Sequence, residues 1–506
     1  MPKPFRDLRV LEIEGSAAGA YAARLFLDRG ARVVKLRPDA DRSGHAPGEG
    51  IGTEVPSISQ YLDTGKEIQP SGRPDQSDSS QLQEWLAWAD VSVESSAPDP
   101  LAPLEASSNF PQLIRVRVSP FGSSGPYAGY RSNAFSDDAM GGHLYLNGEA
   151  DREPIGRAGL QSHYQAGLHA FIGALAALRA RDVIGSGQVV EVSHFEGLAS
   201  LHQHTVTMWT HGGHILKREG NRQPGIWHPA GIYPCKDGQV MLTLVAHSHR
   251  DRFLTVAGIP EILIDPRFAN DLTVGQNKDA FDQAILPWLL THTLEEIIAV
   301  GRESRTPTGR IASPLQVLED PHLGARGYWN EAGGMRVPGR AFSIQELPPA
   351  AESTDASRAS SKAHARRKNA MSHVTAHAGQ PASPLDGVRV LDLSRIWAGP
   401  LAGRILADLG ADVIVIEAPD ARGGRQAPPG LAEATHLFPD NEVGERPWNR
   451  IGSINKLYRN KRGITLDLKR PEAKRLFEGL VRAADVVLEN FSPRVMPELG
   501  LGFDRL

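Results

Sequence analysis

Two stretches of this chain are copies of one another. Residues 8–36 read LRVLEIEGSAAGAYAARLFLDRGARVVKL and residues 388–416 read VRVLDLSRIWAGPLAGRILADLGADVIVI. At a constant offset of 380 they align without a gap, and 11 of 29 positions are identical. The identities include Ala18/Ala398, Gly19/Gly399, Asp28/Asp408, Gly30/Gly410 and Val33/Val413. An ungapped match of this length in a chain of ordinary composition marks an internal duplication. Each copy runs from an apolar strand-length segment through a small-residue turn and an amphipathic helix to Asp-x-Gly-Ala and a second apolar segment. That pattern predicts a strand-helix-strand unit, with Gly30 and Gly410 where the helices end. Small residues in the first turn let a ligand approach the helix N-terminus, where free N–H groups favour phosphate.

The duplication extends further. ADVSVE at 89–94 answers ADVVLE at 484–489, at an offset of 395. In the first copy the helical SQLQEWLAWA leads into a strand at 90–94, and LIRVRVS at 113–119 is a third apolar strand. Strands alternating with helices predict an α/β fold with a Rossmann-like, doubly wound parallel sheet. PFGSSGPYAG at 120–129 reads as a loop, either a plain turn or a set of backbone amides facing an anionic or thioester ligand. Residues 167–181 are a strongly apolar helix, 185–193 turn into an alternating strand, and 233–244 form a hairpin with Asp237-Gly238 at its turn. Between 347 and 384 the chain is rich in Ala, Ser, His and charge, and is expected to be a flexible linker. The predicted units are a Rossmann-like unit at 1–126, a smaller α/β domain at 127–346, the linker at 347–384, and a second, incomplete Rossmann-like unit at 385–506.

With 506 residues, several domains are expected. A net charge of −4 supplies no basic excess to neutralise phosphate backbones, so a nucleic-acid partner is not expected. The basic cluster at 364–368 reads as solvated linker. A single cysteine, Cys235, excludes an intramolecular disulfide and suits a reducing compartment. No apolar window reaches membrane-spanning length and the N-terminus carries no apolar leader, so a cytoplasmic protein is expected.

Several longer motifs resemble family III CoA-transferases, the group of formyl-CoA transferase, carnitine CoA-transferase and α-methylacyl-CoA racemase. In the second copy they are VRVLDLSRIWAGPLAGRILADLGADVIVIE, YRNKRGITLDLK and ADVVLENFSPRVMPELGLG. In the first they are VSPFGSSGPYAGY, AGLHAFIGALAALRARDVIGSGQVVEVSHFE and GIYPCKDGQVMLTL. The resemblance implies a CoA-binding Rossmann-like domain, a smaller α/β domain and an interlocked homodimer. A tandem chain can supply both rings of such a dimer as an intrachain pseudo-dimer. Acyl-CoA and carboxylic acid are the implied substrates, with no metal.

The family's nucleophile is an aspartate four residues before the glycine of the apolar helix, and it forms an acyl-enzyme anhydride. In this chain the glycine is Gly167 and the matching residue is His163, so the expected aspartate is absent from the first copy. His163 is then a hydrogen-bonded remnant of a silent site, or a nucleophile or base in its own right. If the register differs, Asp137, Asp138 and Glu196 are the candidate carboxylates. The second copy stops before any counterpart of its own. The racemase branch uses a histidine where Tyr130 stands, which favours transfer over proton exchange. For CoA, the resemblance carries over to Trp397, Ala398 and Gly399 in the first turn, to Lys461 and Arg462 as a phosphate-side basic pair, and to Asn490 and Phe491. The first copy offers Ala17, Ala18 and Gly19, with Thr64-Gly65-Lys66 and Ser95-Ser96 in place of the later motifs. Ala418 and Glu498 replace basic residues seen in the family, with Arg422 or Arg425 as substitutes. The second copy is expected to be the CoA-competent half. A transferase is the leading reading, beside a racemase or CoA-dependent lyase on the same fold and a non-catalytic half that binds CoA or stabilises a dimer.

Overall fold

A computed structural model describes residues 3–13, 15–38, 56–71, 80–95, 109–225, 227–245, 247–345, 383–419 and 435–506. The apolar runs of the first copy are rich in Val, Ile and Leu with little alternation, which suits parallel strands covered on both faces. Six strands form one sheet: β1 (Arg9–Ile13), β2 (Arg32–Pro38), β3 (Glu67–Ser71), β4 (Val91–Glu94), β5 (Ile114–Ser119) and β6 (Val189–Ser193). Their order is β3-β2-β1-β4-β5-β6, with every neighbouring pair parallel. One face is covered by helices Ala17–Leu27 and Gln161–Ile184, whose Phe26, Ala166, Ala170 and Phe171 join Val10, Val93 and Val116 in a buried core. On the other face, Leu86 of helix Ser80–Trp88 packs with Leu11 and Val34.

β6 pairs with β5, so the sheet begun before residue 126 is completed well after it, and the expected boundary at 126 cuts through this unit. The smaller domain is built on the antiparallel strands β7 (Ala230–Cys235), β8 (Gly238–Thr243) and β9 (Thr308–Arg310). Its hairpin turns at Lys236-Asp237, one residue earlier than the sequence suggests, because Cys235 and Gly238 are the closing pair. Phe253, Phe281, Ile285, Leu289 and Ile297 fill its core. The short hairpin β10 (Asn330–Ala332) and β11 (Met335–Val337) then returns to the first sheet's helices, where Gln60 donates to the Ala332 carbonyl at 3.1 Å.

The second copy repeats the first strand for strand. β12 (Arg389–Asp392), β13 (Asp412–Glu417), β14 (Arg462–Thr465) and β15 (Val486–Leu488) lie in the order β14-β13-β12-β15, all parallel. This is the β3-β2-β1-β4 portion of the first sheet. Register repeats too: Val10 faces Val33 and Val91, and Val390 faces Val413 and Val486. Gly30 at φ +98° and Gly410 at φ +99° turn the chain after each helix, a conformation glycine adopts without strain. Most of the expected linker lies outside the described residues, as do Ser96, Arg422 and Arg425.

The two copies touch. Met208 of helix Gln203–Gly212 and Leu216 form a buried cluster with Leu437, Phe438 and Ile451. Asn441 donates to the Gly212 carbonyl at 3.2 Å and Lys456 to the His202 carbonyl at 3.4 Å. Among the described residues no single helix is long and apolar enough to cross a membrane. The bent pair Lys278–Thr291 and Leu294–Ser304 meets that test jointly, and its apolar side chains lie in the small domain's core.

Candidate functional site

In the second copy, the turn from β12 into helix Ala398–Asp408 is held from β15's end. Asn490 accepts from the Arg395 amide and donates to the Arg395 carbonyl, both at 2.8 Å. Asn490 thereby fixes the turn that precedes the helix. Phe491 packs partly buried in the core under the sheet, with its amide on Glu489 at 2.7 Å. Ile396 has φ +70°, an outlier for a β-branched residue that costs on the order of 1–3 kcal/mol. Trp397 occupies the N-cap position and supplies no side-chain hydrogen bond to the first-turn amides. Ile396, Trp397 and Ala398 are exposed, while Gly399 is buried because a Cβ there would stand 2.3 Å from the Ser394 Cβ and 3.2 Å from Asn490 Cγ. The Trp397 indole lies 6.4 Å from the His204 ring of the first copy.

The corresponding first-copy turn is closed. Ser16 stands where Ile396 does, and its hydroxyl accepts from the Gly19 amide at 3.2 Å, capping the helix. Ala17, Ala18 and Gly19 are buried, and helix Gln161–Ile184 lies against them. Gly167 allows this approach: a Cβ there would sit 2.6 Å from the Ala18 carbonyl oxygen. The expected CoA contacts at Ala18 and Gly19 are therefore corrected, since both are covered by packing.

The basic pair is corrected as well. Lys461 is buried, with Nζ 2.9 Å from Asp392 and 2.8 Å from the Pro400 carbonyl. Burial pushes its pKa down, against the hydrogen bond to Asp392. Its ammonium ties the start of β14 to β12 and the opening helix. Arg462 is exposed and paired with Asp412. The first copy has not lost this lysine: Lys66 lies 2.5 Å from Glu12 and 3.0 Å from the Ala20 carbonyl. Gapped sequence spacing hid the match, which appears only with the second offset of 395.

His163 lies inside the long helix, which begins at Gln161 and so six residues earlier than the apolar run predicts. It is buried at the carboxyl edge of the six-stranded sheet, where ligands of open α/β sheets bind. Its Nδ1 is 3.2 Å from Ser162 Oγ and 3.9 Å from Asp137 Oδ2. Asp137, on helix Ala134–Met140, is 2.9 Å from His194 Nδ1. His194 directly follows β6 at the same edge, and its ring centroid is 4.7 Å from that of His163. Burial, helped by His194, pushes the His163 pKa down to about 4, so its imidazole is neutral at pH 7. Burial pushes the Asp137 carboxyl up, and the hydrogen bonds from His194 and Ser132 together with the nearby imidazoles more than reverse this, leaving it below the usual range. Asp138 is paired with Arg157, and Glu196 sits in a helix first turn capped by Ser193. Sequence reading named Asp137 and His163 separately; His194 was missed, although a histidine at the end of a parallel strand is a positional signal.

The 120–129 loop uses its amides internally. Gly122 donates to Ser119 Oγ at 3.0 Å and Ser123 to the Glu191 carboxylate. The plain-turn reading fits these two amides.

The profile described as CoA-transferase family III matches residues 5–362 and 385–506, leaving residues 363–384, the later part of the linker, between them. A succinyl-CoA–D-citramalate CoA-transferase of Chloroflexus aurantiacus is 30% identical over 352 residues, covering 64% of this chain and 82% of that protein. A probable CoA-transferase of Mycobacterium tuberculosis is 26% identical, covering 97% of this chain and 62% of its own length. This chain thus spans less than two thirds of that relative. Among solved structures, a CaiB/BaiF family protein from Brucella suis matches with a TM-score of 0.57 at 24% identity, over 68% of this chain and 94% of that one. That match bears out the α/β fold.

Proposed function

The chain belongs to CoA-transferase family III, and we propose that it binds coenzyme A through its second copy and moves it from an acyl-CoA to a carboxylic acid. The observation that carries this reading is the uncapped first turn, with Trp397 and Ala398 exposed and Gly399 buried behind them, set in a sheet that repeats the first copy. Unsatisfied amides at a helix N-terminus suit the phosphates of CoA. The Trp397 indole adds a flat apolar face for adenine or pantetheine. The first copy is the partner half in an intrachain pseudo-dimer, presenting His204 across from Trp397. The units divide by sheet, with the six-stranded sheet reaching to Ser193, and the single buried Cys235 suits the cytoplasm.

The resemblance implies an enzyme anhydride, and the residues at the first-copy edge do not support one. That sequence uses an enzyme carboxylate twice: once to accept the acyl group, and once to hold CoA as a thioester on its own carbonyl carbon. Imidazole can take an acyl group on nitrogen, but it has no carbonyl carbon for the second stage. Asp137 is 1% exposed and engaged with His194, so it is not placed for attack. The chemistry consistent with this is direct transfer in a ternary complex. The acceptor carboxylate attacks the donor thioester, giving a mixed anhydride and CoA thiolate. The thiolate then attacks the acceptor's carbonyl carbon, forming the new thioester and releasing the donor acid. The protein's contribution is to hold the three parts in register.

Initial-rate kinetics test this, with succinyl-CoA as donor and a panel of dicarboxylic acids as acceptors, and with hydroxylamine as trap. Intersecting, sequential patterns and no loss of activity to hydroxylamine are expected. Ping-pong kinetics with an acylated or hydroxamate-bearing residue at 137 or 163 would overturn the mechanism. CoA binding with no exchange for any acceptor would leave a CoA-binding half without catalysis.

A further inference from the structure

The cluster at the carboxyl edge of the first sheet is not used by the transferase reading, and its chemistry points elsewhere. Asp137, His163 and His194 come from three different helices, Ala134–Met140, Gln161–Ile184 and His194–Ser200, and are 1%, 4% and 3% exposed. One donor atom from each can be chosen so that all three lie within 4.8 Å of one another. Asp137 Oδ2 is 2.9 Å from one imidazole nitrogen and 3.9 Å from the other. Ligands about 2.0–2.1 Å from a tetrahedral metal stand roughly 3.3 Å apart, so these two separations bracket the value a shared ion imposes.

His194 Nε2 is also buried and makes no hydrogen bond, whereas the Asp137 carboxylate is hydrogen-bonded by Ser132 and His194. An orphaned buried polar atom costs about 1–3 kcal/mol and calls for an explanation. The donor set also selects the ion. Imidazole nitrogens with one carboxylate suit zinc, iron, nickel or copper, whereas magnesium and calcium take oxygen ligands.

We propose that Asp137, His163 and His194 bind one divalent transition-metal ion of the zinc class, pinning three helices to the carboxyl edge of the first sheet. The ion adds two positive charges against one carboxylate, and a water or hydroxide completes a four-coordinate shell. Its three protein ligands are buried, and the fourth position is left to solvent. The site goes beyond the transferase reading and stands or falls separately from it, since CoA binding by the second copy is measured independently.

The full chain is stripped with chelator, dialysed against Zn²⁺, and its bound metal counted by mass spectrometry. The same chain loaded with Co²⁺ is read by visible absorption. One ion per chain and the intense visible bands of four-coordinate Co²⁺ are expected, with a raised melting temperature on loading. His163→Ala and His194→Gln should each lower the stoichiometry at least fivefold while CoA binding is kept, which also shows that the variants fold. His322→Gln, at an exposed position outside the cluster, should leave it unchanged. Less than 0.1 ion per wild-type chain, or full stoichiometry in both variants, would overturn the proposal.

Discussion

Lys66 and Lys461, 395 positions apart in the chain, hold the same place in the two copies. Each ammonium is buried against the carboxylate that ends the first strand's inward face, Glu12 or Asp392, and each donates to a carbonyl of the opening helix, Ala20 or Pro400. The duplication is therefore preserved at the level of a buried charge pair, below the level at which the two sequences look alike.

Removing one member of such a pair leaves an uncompensated buried charge, which costs about 3–5 kcal/mol. Lys461→Met should lower the stability of the second unit by that amount in denaturant titration, and Lys66→Met should cost the first unit less, because Lys35 still lies 3.2 Å from Glu12. A lysine that served CoA phosphates would show the opposite pattern, with weakened CoA binding and unchanged unfolding.

Gly399 and Gly479 are both helical glycines with opposite surroundings. A Cβ at 399 meets the Ser394 Cβ at 2.3 Å, while a Cβ at 479 meets nothing within 4 Å. Gly399→Ala should destabilise by about 1–3 kcal/mol through overpacking and displace the first turn. Gly479→Ala should stabilise by about 0.5–1 kcal/mol through helix propensity. Thermal melts of the two variants check both signs.

Half-buried histidines cluster near the contact between copies. Burial holds the pKa of His169, His204 and His436 below the ordinary value, helped by Arg404, His436 and His214 respectively. A folded pKa below the unfolded one means that the unfolded chain binds the proton more tightly. Stability is then full above the unfolded value of about 6.5 and falls as pH drops below it. Melting temperature should be level from pH 7 to 8 and decline between pH 6.5 and 4. His204→Gln with His436→Gln should flatten part of that decline, and a flat wild-type profile would contradict it.

Restoring the family's carboxylate should not restore an anhydride site. In His163→Asp the new carboxyl would stand beside Asp137, and two carboxylates this close cannot both ionise without strain. The variant is expected to lose about 1–3 kcal/mol of stability and to stay unacylated when challenged with succinyl-CoA and hydroxylamine, because Ala18 and Gly19 remain covered.

Periodicity and the Asp-x-Gly-Ala motif made the opening strand-helix-strand legible in both copies, since each apolar run is buried by the helices it predicts. The turn glycines were legible for the same reason: positive φ leaves few alternatives to glycine at 30 and 410. What stayed hidden depends on contacts made across the sequence. Ser16 as a cap and Gly167 as a point of close approach close the first copy's turn, and neither can be recognised until the long helix is laid on the opening one. Lys461 reads as an exposed basic residue in NKRG, and only its reach to Asp392 shows that it is a buried strut. His194 is an ordinary residue in sequence and acquires meaning from Asp137 and His163, which arrive from 57 and 31 residues earlier.

The second copy is expected to hold CoA and the first to hold none. Titration calorimetry of CoA into the full chain measures this directly, using the wild type, Trp397→Ala and Ser16→Ala. One CoA per chain is expected, with at least tenfold weaker binding in Trp397→Ala and affinity within twofold of wild type in Ser16→Ala. Two CoA molecules per chain, or a Trp397→Ala variant that binds as tightly as wild type, would contradict it.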